Sequence, residues 1–221
     1  MAHRMADWKT GGCGLFLGAL LLCGCPSEDS PTASTSASTI PVAKVDLDSA
    51  CRSAVSLDPA DSMGDGSSAR NLQACLERME GVWTLDPGAS TDLETVLDSM
   101  VATYPESVRS QLRARLKSVA DVSVQLEIRF EWPKLAVGSD GDRGILSRPD
   151  GVGVPFEENG EEIWLTTRWD SGRLVQVYQA SDGFREDAFG LDSAGRLVLV
   201  STTKGDGMPQ PLVVTSHYLR K

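Results

Sequence analysis

The chain has 221 residues, with 31 acidic against 21 basic side chains and a net charge of −10. A surplus of that sign excludes nucleic acid and anionic lipid surfaces as partners held by charge. At the N-terminus Arg4 and Lys9 precede the apolar run Gly14 to Leu22. As a helix this run reaches about 14 Å against a hydrocarbon core of roughly 30 Å, too short for a membrane span. A basic stretch, a short apolar stretch and small residues together read as a secretory signal.

The next four residues, Leu22-Cys23-Gly24-Cys25, resemble the bacterial lipobox, in which a cysteine receives diacylglycerol before cleavage. The resemblance implies that residues 1–24 are a lipoprotein signal peptide and that Cys25 is the acylated first residue of the mature chain. Acyl chains bury in a leaflet at about 0.8 kcal/mol per CH₂. It further implies a bacterial cell-envelope location, with membrane contact through the lipid anchor and the remaining chain in the periplasm or at the cell surface. Residues 25–41 are Ser, Thr, Ala and Pro with Glu28 and Asp29 the only charges. Such a segment buries too little apolar surface to offset its ordering entropy, and it reads as a tether with a reach of roughly 20 to 25 Å.

Cys13 and Cys23 leave with such a signal and Cys25 is acylated, so Cys51 and Cys75 remain as an even pair in an oxidising compartment. A disulfide between them is expected, since no CxxC spacing points to a metal or redox site. Residues 42–80 form a helical segment around that bridge. Leu72, Cys75, Leu76 and Met79 fall on one helical stripe, with Gly81 where an αL stop is expected. Val45, Leu47 and Cys51 make a second, less regular stripe, and "DPADSMGDGSS" between them is a loop.

Thr91-Asp92-Leu93-Glu94 fits a capping box, and Leu93, Val96, Leu97, Met100, Val101 and Tyr104 repeat at helical spacing behind it. Pro105 ends that helix and opens another, with Val108, Leu112, Leu116 and Val119 on one face. Arg109, Arg113, Arg115 and Lys117 on the same helix are expected to be a solvated face. From Val122 the period changes to 2: Val122, Val124, Leu126, Ile128 and Phe130 alternate with polar residues. Turn signals then recur every ten to twelve residues or so, among them "EENGE", "WDSGR", "ASDGF" and "DSAGR". Regular short strands joined by such turns predict an antiparallel meander closing into a barrel. Asn159-Gly160 is the clearest hairpin turn, and Glu157, Glu158, Glu161 and Glu162 beside it are expected to face solvent.

"GVWTLDP" at Gly81 to Pro87, a meander containing "WDSGRLVQVYQASDGFREDAFGLDSAGRLVLVSTT" and a late "HYLR" together resemble lipocalin-like domains of bacterial envelope proteins. In these a Gly-x-Trp opens the first strand and a Tyr-x-Arg closes the last. The resemblance covers roughly Gly81 to Arg220. It implies a mainly β fold, a lipocalin-like barrel over residues 81–221 with N-terminal helices and a helical insertion at about 91–120. That insertion departs from a compact lipocalin.

Chemistry is sparse. No GxSxG, HExxH, P-loop or dinucleotide fingerprint is present. His217 is the lone histidine after the signal, set on the strand face opposite Ser216 and Tyr218. Asp140-Gly141-Asp142 lacks the later Glu of a calcium loop. No catalytic residue, cofactor or metal ligand is therefore expected, and the chain reads as non-enzymatic. Two readings follow. In the first, the barrel binds an apolar or amphipathic, lipid-like small molecule, with some of Trp83, Trp132, Trp164, Trp169 and Tyr178 on its wall. Trp164 and Trp169 differ by an odd number and so cannot both face inward. In the second, the core is filled and the protein meets other envelope proteins through its surface or its helical insertion.

Overall fold

The computed structural model describes Cys51 and residues 67–221 apart from 121, 159, 207 and 209. The signal, Cys25, the tether and the Val45 and Leu47 stripe lie outside the described residues. Helix α1 is Ser67–Met79, and its stripe of Leu72, Cys75, Leu76 and Met79 is buried together with Cys51. Cys51 and Cys75 form a disulfide with their Cα atoms 5.7 Å apart. The expected αL stop takes another form: Gly81 has φ 132° and is already the first residue of β1, Gly81–Leu85. A side chain rarely adopts that φ, so glycine lets the chain reverse from helix to strand within two residues.

The helical insertion consists of α2, Leu93–Val101, and α3, Glu106–Val119. Its cap differs by one residue from the expected capping box. Asp92 is the N-cap, accepting from the Glu94 N–H at 3.1 Å and the Thr95 hydroxyl at 2.6 Å. These bonds, that from Thr95 first, hold the Asp92 carboxyl below its ordinary range. Thr91 is taken by the sheet instead, donating its N–H to Thr215 O at 2.8 Å. Glu94 does not reach back either, because it bonds Lys117 and Arg113 of α3. Arg113 also bonds Asp98 at 2.6 Å, and Arg109 donates to the α2-terminal carbonyls of Ala102 and Tyr104 at 3.0 and 2.7 Å. Three of the four basic side chains of α3 thus clamp the two helices together. Exposed pairs of this kind are screened by solvent and contribute little to stability.

Eight further strands follow: β2 Gln125–Glu131, β3 Lys134–Ser139, β4 Asp150–Glu158, β5 Glu161–Asp170, β6 Arg173–Ala180, β7 Gly183–Leu191, β8 Leu197–Gly205 and β9 Leu212–Arg220. β2 starts three residues later than its alternation suggests. Val122 is half-buried and Val124 is 63% exposed, because the chain is still leaving α3 at this point. All pairings are antiparallel, in the order β3-β2-β1-β9-β8-β7-β6-β5-β4. The curled sheet meets itself at one bridge, where Leu135 and Ser147 exchange two backbone hydrogen bonds of 2.9 Å. In the predicted turn at "WDSGR", Ser171 and Gly172 both have positive φ, the type I′ geometry that suits a two-residue hairpin loop, whereas Asn159 of the predicted Asn159-Gly160 turn lies outside the described residues.

Two ends of the barrel are closed differently. At one end α1 packs on inward side chains of the strands, in a cluster that includes Trp83, Ile128, Leu135, Trp169, Phe189 and Tyr218. At the other, Leu97, Met100 and Val101 of α2 and Leu116 of α3 cover Leu212 and Val214 of β9. Strands β6 to β8 are apolar on their outward face too, where Val175, Ala188, Val198 and Val200 cluster.

Candidate functional site

Strand register sorts the barrel interior into layers. Trp169, Leu174, Phe189, Leu199 and Ser216 are paired in succession across β5 to β9. One step along, the same ladder reads Thr167, Gln176, Asp187 and Ser201, and the next reads Leu165, Tyr178, Arg185 and Thr203. The middle layer is a polar belt inside an apolar barrel, and buried polar groups must be paired there. Arg185 bonds Asp187 at 2.9 Å with side-chain exposures of only 15% and 8%. Ser201 donates to the same carboxylate oxygen at 2.6 Å. Tyr178 donates to Gln176 at 3.1 Å, Gln176 to Thr167 at 3.4 Å, and Thr167 and Ser147 share a bond of 2.7 Å. That last contact ties the belt to the seam of the barrel.

Between this belt and the helical cover lies a cavity of about 150 Å³. Val119 of α3 and Ala120, which caps that helix, form part of its roof, and Phe156, Phe189, Leu199 and Val214 much of its apolar wall. Asp142, Glu158, Tyr178, Arg185 and Asp187 supply the polar side. Phe156 and Tyr178 meet edge to face, with ring centroids 6.4 Å apart. Burial, followed by the nearby Asp187 carboxylate, raises the Tyr178 hydroxyl, which stays protonated as a donor.

Glu158 has the opposite character to a surface carboxylate. Burial first, and repulsion from Asp142 second, push its carboxyl above the ordinary range, with Arg185 offsetting part of both. The folded chain therefore holds this proton more tightly than the unfolded chain does. Below about pH 4 both forms are protonated and Glu158 costs nothing; the cost appears as pH rises through the folded-state value. Glu158→Gln is expected to raise the melting temperature at pH 7 and to leave it unchanged at pH 3.5. Thermal melts at the two pH values check this, and an equal shift at both would sink the assignment.

No family model matches the sequence, and no curated protein matches it. Solved structures do. The chain is similar to a REP1-NXSQ fatty acid transporter at 15% identity and TM-score 0.42, covering 66% of this chain and 97% of that one. It is similar to human cRBP IV at 15% identity and TM-score 0.41, covering 65% and 98%. A secretary abundant heat soluble protein from Ramazzottius varieornatus gives 11% identity and TM-score 0.44, covering 65% and 96%. Likeness at this level says nothing of what this chain binds.

Of the aromatic residues considered for the wall, Tyr178 lies on it. Trp83 and Trp169 are fully buried in the core that α1 covers. Trp132 is 42% exposed beside Phe130, and Trp164 faces outward at 46%, opposite to Trp169. Tryptophan in an inward position fills a core as readily as it lines a cavity, and α1 decides which. Arg185 and Asp187 carried no signal of their own, and Glu158, expected to face solvent, lines the cavity instead. Val154, Phe156 and Glu158 alternate in β4, as Arg185, Asp187 and Phe189 do in β7, so the signal was a carboxylate in phase with an inward phenylalanine. His217 sits on the outer side of β9, where its N–H bonds the Ser90 hydroxyl at 2.9 Å and its Nδ1 is buried without a partner.

Proposed function

We propose that this chain is a lipid-anchored protein of the bacterial cell envelope, non-enzymatic, whose barrel holds a small apolar or amphipathic molecule. The observation that supports binding is the cavity. It is lined by hydrocarbon and aromatic rings on one side and by Tyr178, Arg185, Asp187 and Glu158 on the other, the mixture that small-molecule sites use for affinity and orientation. Its size sets the ligand class. Sites for drug-sized molecules span about 300 to 1,000 Å³, so a space of about 150 Å³ takes one ring or a short chain. An extended acyl chain requires α2 and α3 to move aside.

Anchoring rests on Leu22-Cys23-Gly24-Cys25 and the polar tether after it. Metabolic labelling with an alkynyl fatty acid is expected to mark the full chain, and Cys25→Ala to remove the label; full label on the variant would defeat the assignment. Native mass spectrometry of the detergent-extracted full chain tests binding. A co-purifying small mass, lost when Leu199→Trp fills the cavity, is the expected result. A ligand-free mass that takes up no small aromatic compound would favour the second reading, an envelope protein that acts through its surface.

A further inference from the structure

We propose that the cavity selects a compact organic cation, a protonated amine on one ring or a short alkyl arm, over carboxylates such as fatty acids. This inference rests on the cavity being a ligand site, as proposed above. Three acidic residues line it: the exposed Asp142 from the connection between β3 and β4, the half-buried Glu158 from β4 and the buried Asp187 from β7. One cation, Arg185, stands against them. Its guanidinium is held by Asp187 at 2.9 Å, and Asp187 also accepts from Ser201 at 2.6 Å. Arg185 also offsets part of the charge of Glu158, and three acidic residues against one cation leave the wall with surplus negative charge.

Like charges gathered around a partly buried space repel, and the occupant that relieves them carries the other sign. A ligand carboxylate would add a fourth negative group to the wall. An ammonium would offset two that already repel each other. The rings of Phe156 and Tyr178, set edge to face at 6.4 Å, add π-faces that attract a cation. A metal ion is a poorer match, because among the described residues no group of three or more His, Cys, Asp or Glu side chains is placed to hold one. Volume narrows the class further: about 150 Å³ is the space of roughly five waters or a single benzene-sized ring.

Three probes of nearly equal size separate charge from fit: phenethylamine, phenethyl alcohol and phenylacetate. Each is titrated calorimetrically into the full chain in dodecyl maltoside micelles at pH 7, against micelles alone. Phenethylamine is expected to bind about tenfold more tightly than the alcohol, with phenylacetate the weakest. Alcohol binding as tightly as the amine, or phenylacetate the tightest, would overturn the charge selection while leaving the ligand cavity standing. Silence from all three, confirmed by ligand-observed NMR, would overturn both. In Glu158→Gln/Asp142→Asn the advantage of the amine is expected to shrink about tenfold; an undiminished preference would show that these carboxylates do not confer it.

Discussion

Trp83→Ala is expected to lower the unfolding free energy by about 4 kcal/mol, the middle of the usual cost of truncating a buried tryptophan. The side chain is fully buried where α1 meets the sheet, and its indole N–H donates to Met79 O at 2.8 Å. Arg220, its register partner on β9, lies with its guanidinium 4.6 Å over the ring, and also donates to Arg78 O at the end of α1. Three elements therefore converge on one indole. Domains are stable by about 5 to 15 kcal/mol, so the variant loses a large share of its margin. Urea unfolding of the full chain measures it. Trp83→Phe keeps most of the ring but not the N–H, and is expected to cost about half as much. Equal losses in the two variants would mean that the hydrogen bond, not the packing, carries the effect.

Removing the Cys51–Cys75 bridge is the second large change. Closing a loop of about 25 residues stabilises a fold by about 3.5 kcal/mol in the chain-entropy treatment. Both cysteines are buried in the cluster where α1 meets the barrel, so the loss is expected to fall first on this helix. Hydrogen exchange in α1 should rise in Cys51→Ser/Cys75→Ser while the amides of β6 to β8 remain protected. Unfolding free energies of the oxidised and reduced wild-type chain check the magnitude. A difference below about 1 kcal/mol would show that packing of Leu72, Leu76 and Met79 holds α1 without the bridge.

The strands and turns were legible in the sequence because both are local properties. Leu126, Ile128 and Phe130 alternate with polar residues, and Ser171-Gly172 supplies the φ values that a tight hairpin requires; neither needs knowledge of a distant residue. The Cys51–Cys75 pair was legible by count, because the expected signal and acylation leave these two as an even pair. Local signals failed where the sheet competed for a residue. Thr91 satisfies the pattern of a capping box, yet Thr215 on β9 claims its N–H and Asp92 caps α2 in its place. Within one strand, too, a turn-flanking glutamate reads as solvated until the inward phase of Phe156 is extended to Glu158.

By itself the sequence determined the antiparallel meander, the helical insertion and the disulfide, because periodicity and turn chemistry act over a few positions and cysteines can be counted. Tertiary structure alone decided the interior. Whether Trp83 and Trp169 line a cavity or fill a core depends on where α1 packs. That Asp142, Glu158, Arg185 and Asp187 share one small space depends on the register of β4 to β7 and on the curl of the sheet. Burial and charge are summed over neighbours remote in the chain, and only the curl of the sheet brings those neighbours together.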